Sequence, residues 1–111
     1  MQNLLIKPSV ALVQPSGHIN AANSLELQAH LNQVISDPNH AVVLVDMSQV
    51  DSLDSAGLMA LTAAMTAAQQ SGIGFNLCCV PPAIRIIFEV TQLDRVFQIF
   101  ESRADFDASL S

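Results

Sequence analysis

An unbroken apolar run near the middle of the chain, Ala41-Val42-Val43-Leu44-Val45, places the strongest constraint on the fold. A continuous run rich in β-branched residues is typical of a central strand that is buried on both faces. Leucine, valine and isoleucine recur at helical spacing between residues 25 and 35 before the run, and a second helical pattern follows it at 55–70. A buried strand between two helices predicts an α/β fold.

The remaining apolar segments extend this alternation of strands and helices. Strands are predicted at residues 4–6, 10–13, 41–45, 75–80 and 96–100. The connection between the first two is short enough for an antiparallel hairpin. Further helices are predicted after Pro81-Pro82 and at residues 104–110. The order β-β-α-β-α-β-α-β-α predicts a mixed β-sheet of about five strands, parallel in its majority, with helices packed on it. At 111 residues we expect a single domain, 1–111.

Composition restricts the classes of partner. Ten acidic and four basic residues give a formal net charge of −6, which would be repelled by nucleic acid and by anionic membrane surfaces. The apolar runs are far shorter than the roughly 18 residues of a spanning helix, and the first residues lack the order of a signal peptide. We therefore expect a cytoplasmic protein that binds neither nucleic acid nor membrane.

The adjacent cysteines Cys78 and Cys79 lie in a predicted strand. Neighbouring strand residues point to opposite faces, so these thiols should not pair easily, and nothing in the sequence has the spacing of a zinc site. We expect two free thiols and no metal or cofactor.

Polar residues gather where the central strand gives way to the helix at 55–70. Three aspartates, three serines and one glycine lie between Asp46 and Leu58. Asp54-Ser55-Ala56-Gly57 lacks the G-x-S-x-G turn of a serine nucleophile, and the aspartates do not have the spacing of a calcium loop. Asp46 is expected to tie down the end of the strand. An enzyme is not predicted.

The helix that follows this segment has no charged side chain. Residues 55–84 contain no Asp, Glu, Lys or Arg. A helix that is apolar nearly all round is either buried or open to a partner. We interpret its outward side as a partner surface, although a neighbouring helix or a second copy of the chain could also cover it. The residues expected on that side are Met59, Ala60, Ala63, Thr66, Ala67 and Gln70.

Three segments in order resemble the STAS domain family, and specifically the bacterial anti-sigma-factor antagonists. The most specific is the passage from Val43-Leu44-Val45-Asp46 to Asp54-Ser55-Ala56-Gly57-Leu58. Gly17-His18-Ile19-Asn20 is similar to an early turn of the family, and Leu93-Asp94-Arg95-Val96-Phe97 is similar to a late passage. The resemblance covers essentially the whole chain.

This resemblance implies a non-catalytic protein that regulates transcription by partner switching. It would bind an anti-sigma factor with serine kinase activity, lose that partner when Ser55 is phosphorylated, and be restored by a metal-dependent serine phosphatase. Asn20 replaces a common Asp of the family, and Ala56 replaces a common second Ser or Thr. The partner-binding residues implied are Asn20, Asp54, Ser55, Ala56, Gly57, Leu58, Met59, Thr62, Ala63 and Thr66.

The physical properties of Ser55 agree with this role. The start of a helix tolerates a phosphate, and the added negative charge would lie beside Asp54 and near Asp51, with Arg85 of the next helix as a possible neighbour. Ser55 could equally be an ordinary helix-capping residue. An alternative function is a constitutive STAS adaptor, such as a subunit of a lipid-transport ATPase or of a larger signalling assembly. A small-molecule sensor has no support in the sequence.

Overall fold

Four parallel strands form the centre of the molecule, and the computed structural model describes residues 9–110 of the chain. The predicted strand at 4–6 and its hairpin lie outside the described residues. The elements in chain order are β1 (Val10–Val13), β2 (Gly17–Ile19), α1 (Ser24–Ser36), β3 (Val42–Asp46), β4 (Val50–Leu53), α2 (Ser55–Gln70), β5 (Gly74–Cys78), α3 (Pro82–Val90), a 3-10 turn (Leu93–Arg95), β6 (Gln98–Phe100) and α4 (Arg103–Ser109).

The central sheet has the strand order β1-β3-β5-β6, and each neighbouring pair is parallel. Strand β3 lies in its interior, with Val43 opposite both Ala11 of β1 and Phe75 of β5. Val43 and Val45 are fully buried and Leu44 is almost so. The predicted central strand and the α/β architecture are therefore confirmed.

Two hydrophobic clusters lie on the two faces of this sheet. Helices α1, α2 and α3 cover one face, where their buried side chains pack on the inward residues of the strands, such as Val43 and Leu77. Helix α4 covers the other face, where Phe106 packs with Leu44 and Cys78. Alternation of side chains along each strand explains the division, because successive residues point to opposite faces. Within the range 9–110, no helix combines the length and the apolar character needed to cross a membrane.

Helix α2 begins and ends where the sequence predicts, at Ser55 and Gln70. Its end is fixed by Gly72, whose φ of +72° lies in the left-handed region. The amide of Gly72 donates to the carbonyl of Gln69, and the amide of Ile73 donates to the carbonyl of Ala68. This pair of bonds is a Schellman motif, which requires a residue that tolerates positive φ.

Strands β2 and β4 are not predicted from the sequence. They pair in parallel with each other and form a separate two-stranded ribbon. The segment Val50–Leu53 is a strand that leads directly into α2, so Ser52 is a strand residue.

Two orientations predicted for single residues are wrong. Ala60 was expected to face outward but is only 3% exposed. Helix α2 packs against α1 as well as against strands of the sheet, so more than one of its sides is buried. Cys79 does not oppose Cys78 across the strand. It follows the end of β5 with a φ of +58°, and this turn brings the two Sγ atoms to 3.6 Å.

Candidate functional site

The β2–β4 ribbon brings together two segments that are far apart in sequence. Ile19, the last residue of β2, lies opposite Leu53, the last residue of β4. The amide of Asp54 donates to the carbonyl of Ile19 at 3.1 Å. Asn20 and Asp54 each follow one of these paired residues, so the two are neighbours at the end of the ribbon. The structure thus places the early turn beside the start of α2.

Asp54 is the N-cap of α2. Its backbone is extended, and its carboxylate accepts a hydrogen bond from the amide of Gly57 at 3.0 Å. A cap of this kind satisfies one of the free amides of the first turn and contributes about 1 kcal/mol. Ser55 is therefore the first helical residue and not the cap, and its side chain is exposed. Among the described residues, its hydroxyl has no hydrogen-bond partner.

Gly57 allows the first turn of α2 to lie directly on the ribbon. A Cβ atom at this position would stand 2.5 Å from Cδ1 of Leu53, 2.7 Å from Cγ2 of Ile19 and 3.2 Å from the carbonyl oxygen of Ile19. Real Cβ atoms essentially never approach other atoms below 3.0 Å. The glycine therefore sets how closely the helix and its Ser55 approach the two strands.

Asn23 holds the turn that carries Asn20. It occupies the N-cap position of α1, but its side chain does not cap that helix. Its Nδ2 donates to the carbonyl of His18 at 2.7 Å, and its Oδ1 accepts from the amide of Asn20 at 2.9 Å. The Asn20 side chain in turn accepts from the amide of Ala22. These bonds fix Asn20 in place beside Asp54.

The predicted surface of α2 is partly open to solvent. Of the predicted partner-binding residues on α2, Ser55, Met59 (71%) and Thr66 are exposed, Gly57 is buried, and the rest are half-buried. The hydroxyl of Thr62 donates to the carbonyl of Leu58, and that of Thr66 donates to the carbonyl of Thr62. Because both hydroxyls bond within the helix, the surface is less polar than its sequence indicates. The half-buried residues of the set are Ala56, Leu58, Thr62 and Ala63.

Two of the four basic side chains are engaged elsewhere. Arg85, which the sequence offered as a neighbour for Ser55, pairs with Glu101 at 3.1 Å. Arg103 of α4 donates to Oδ2 of Asp46 at 2.7 Å. Asp46 also accepts from the amide of Ser48, which confirms that it ties down the end of β3. Burial alone would raise the pKa of Asp46, but the bonds from Ser48 and Arg103 outweigh it and hold that pKa below its ordinary value.

One side-chain contact at the ribbon has no signal in the sequence. Nδ1 of His18 and the hydroxyl of Ser52 lie 2.7 Å apart on the solvent side of the ribbon. The contact depends on β2 and β4 being paired, and neither strand is long enough to be recognised from its residues. No third group completes a catalytic triad in the described hydrogen bonds.

The sequence model of the STAS domain matches residues 2–106. The chain belongs to the STAS domain family. A relative from Bordetella bronchiseptica, the candidate anti-sigma factor antagonist BtrV, is 30% identical over 87 residues, which is 78% of this chain and 74% of BtrV. The range matched by the family includes both strands of the ribbon and the whole of α2.

Solved structures repeat this fold. An anti-sigma factor antagonist from Mycobacterium paratuberculosis superimposes with a TM-score of 0.82 at 26% identity, covering 92% of this chain and 86% of the other. The Bacillus protein SpoIIAA in its unphosphorylated form superimposes with a TM-score of 0.75 at 12% identity, covering 95% and 91%. Its phosphorylated form gives 0.69, also at 12% identity, covering 95% of both chains. The similarity to SpoIIAA shows the fold alone.

Proposed function

We propose that this protein is an anti-sigma factor antagonist whose partner is an anti-sigma factor with serine kinase activity, and that phosphorylation of Ser55 releases this partner. The relatives described above as anti-sigma factor antagonists support the first part. The observation that carries the second part is the position of Ser55. It is exposed on the first turn of α2. Asp54, which caps that helix, lies directly before it, and Asn20, whose turn is held by Asn23, lies close by.

The geometry favours a docking surface that runs from Asn20 across Ser55 and along α2. The side chains toward solvent here are uncharged from Ser55 onward, and Met59 offers a large apolar contact. Burial of an exposed methionine side chain contributes roughly 1.5–3 kcal/mol. A partner docked on this surface would cover the Ser55 hydroxyl and would have direct access to it as a kinase substrate.

Phosphorylation would change the charge of this surface without unfolding the helix. A phosphoserine carries about −1.5 to −2 charges at neutral pH. At the first turn of a helix this charge is favourable by roughly 0.3–1 kcal/mol, because the dipole of the helix is positive there. For a docked partner the same charge lies next to Asp54 in a contact that excludes water, where repulsion and desolvation are costly. The partner should dissociate while the antagonist stays folded.

The test is incubation with the cognate kinase and ATP, followed by mass spectrometry of the segment 46–58. We expect one phosphate, on Ser55, and none on a Ser55→Ala protein. Ser52→Ala is the matched control, because Ser52 is an exposed hydroxyl of the same segment and should not affect labelling. Equal labelling of Ser55→Ala and the unchanged protein would contradict the proposed site.

The binding consequence is tested with two replacements of similar size. Ser55→Asp introduces a negative charge and should weaken partner binding at least tenfold, whereas Ser55→Asn is neutral and should bind within a few-fold of the unchanged protein. Ser55→Asp should unfold at the same urea concentration as the parent or higher, since a negative charge is favourable in the first turn. Ser55→Asn should stay within about 0.5 kcal/mol of the parent, as exposed substitutions usually do. Partner binding that is insensitive to Ser55→Asp would instead favour the constitutive adaptor.

A further inference from the structure

A second group of chemically active side chains lies away from Ser55, at the carboxyl ends of β3 and β5. Asp46 is opposite Cys78 in the register of these two parallel strands, and Cys79 follows directly. One ligand atom from each of the three residues lies within 4.8 Å of the other two. The carboxyl ends of parallel strands are where open α/β sheets bind their ligands.

We propose that Asp46, Cys78 and Cys79 form a binding site for a thiophilic divalent cation of the Zn²⁺ class. The two thiolates and one carboxylate oxygen would be its protein ligands, and solvent would complete a tetrahedral set. This site is separate from the docking surface of α2 and does not depend on the proposed function.

The distance between the sulfur atoms fits such an ion. Zn–S bonds of about 2.3 Å at the tetrahedral angle place two sulfur atoms about 3.8 Å apart. The Sγ atoms of Cys78 and Cys79 lie 3.6 Å apart. This distance requires the left-handed backbone of Cys79, with a φ of +58°, a conformation that costs a non-glycine residue of order 1 kcal/mol. The strained turn therefore holds the two thiols at the spacing of a chelating pair.

Neighbouring residues provide the outer hydrogen bonds and the compensating charge that are typical of protein metal sites. Asp46 is 3% exposed and accepts from Ser48 and Arg103, and a carboxylate has about four acceptor positions, so two remain for a cation. Two thiolates, one carboxylate and a divalent cation sum to one negative charge. The guanidinium of Arg103 would neutralise that charge as an outer partner of the metal ligand Asp46.

Entry is possible from one side. Cys78 is fully buried under Phe106, but Cys79 is half-buried and the side chain of Arg103 is 45% exposed above Asp46. Burial raises the pKa of the Cys78 thiol to about 12, so in the absence of a cation this group is neutral. Binding would replace the two thiol protons, which pass to the buffer, and no oxidant or reductant takes part.

The test is titration of the purified full chain with Cd²⁺ in a phosphine reductant that keeps both thiols reduced. Cadmium bound to thiolates has a charge-transfer absorption in the ultraviolet, and we expect this band to saturate at one Cd²⁺ per chain. Zn²⁺ added afterwards should reduce the band by competition. A band that does not saturate, or no band, would overturn the proposal.

Variants assign the ligands. Cys79→Ser removes one thiolate at a half-buried position with little change of volume, and it should lower Cd²⁺ affinity more than about tenfold. Asp46→Asn should lower affinity as well, whereas the control Asp51→Asn changes an exposed carboxylate outside the cluster and should bind as the unchanged protein does. Ser55→Ala should also bind Cd²⁺ normally, which separates this result from that of the phosphorylation test. Unchanged affinity in Cys79→Ser, in a variant with an unaltered melting temperature, would refute the site.

Discussion

Gly57 leaves no space for a side chain between α2 and the ribbon, and replacing this glycine by alanine tests that packing. Gly57→Ala adds one methyl group inside the first turn of α2. That methyl would stand 2.5 Å from a side-chain carbon of Leu53 and 2.7 Å from one of Ile19. Both neighbours are buried, at 5% and 4% exposure, so neither can move out into solvent. The helix start and the ribbon must separate by several tenths of an ångström.

Two opposing effects set the size of the change in stability. Overpacking by one methyl group in a tight core typically costs 1–3 kcal/mol. Alanine is a better helix former than glycine by up to about 1 kcal/mol, although less of this is gained in the first turn. The carbonyl oxygen of Ile19, 3.2 Å from the new methyl group, belongs to the backbone and can move less than the two side chains. We expect a net loss of about 1–2 kcal/mol in the free energy of unfolding, which corresponds to a melting temperature lower by roughly 4–10 °C.

The assay is urea unfolding followed by circular dichroism, with Gly74→Ala as the matched control. A Cβ atom at Gly74 would lie 3.5 Å from the nearest side-chain carbon of Val42, an ordinary contact. The control therefore makes the same chemical change without the close approach, and its stability should stay within about 0.5 kcal/mol of the parent. Equal stability of Gly57→Ala and Gly74→Ala would refute the packing argument. Gly57→Ala should also slow phosphorylation of Ser55, because the displaced turn carries that residue.

Two further predictions concern the helix end and the buried carboxylate. Gly72→Ala forces a Cβ into the left-handed region and should lower the unfolding free energy by roughly 1 kcal/mol, although the site itself is open, as measured by urea unfolding. Arg103→Gln leaves the buried carboxylate of Asp46 without its guanidinium partner, and it should lower the midpoint of urea unfolding by more than Arg85→Gln does. Arg85→Gln, whose acidic partner is exposed, should leave the midpoint almost unchanged, and an equal loss in the two arginine variants would contradict this reasoning.

The sequence predicts those elements whose own residues determine them. Strand β3 is apolar from Val42 to Val45, and α2 is a long helix followed by Gly72, so each is recognisable without knowledge of its neighbours. Local chemistry was sufficient for these two elements. It was not sufficient for the cap of α2, since N-cap positions favour both Ser and Asp and the structure has Asp54, not Ser55, in that position.

The ribbon could not be predicted in this way, because each strand exists only through the other. Gly17–Ile19 and Val50–Leu53 have three and four residues, and only the ends of the second are apolar. Their pairing joins segments more than thirty residues apart. The neighbouring positions of Asn20 and Asp54, and the contact of His18 with Ser52, follow from that pairing and were therefore also hidden.

The orientation of small residues was the other source of error. Alanine occurs on both the buried and the more open sides of α2, so periodicity alone could not show that Ala60 is buried. The cysteine pair failed for a related reason. Side chains alternate between faces only within a strand. Strand β5 ends at Cys78, so the alternation does not extend to Cys79.

The way in which Ser55 is held bears on how the proposed switch would act. The residue before it is bonded to both the ribbon and the helix, since the amide of Asp54 donates to Ile19 and its carboxylate accepts from Gly57. The Gly57 contact leaves no space for the helix start to move inward. A phosphate on Ser55 would thus be added to a surface that is already fixed. Partner release should follow from the added charge, so the circular dichroism spectrum of the antagonist should not change on phosphorylation, whereas release by a conformational change would alter it.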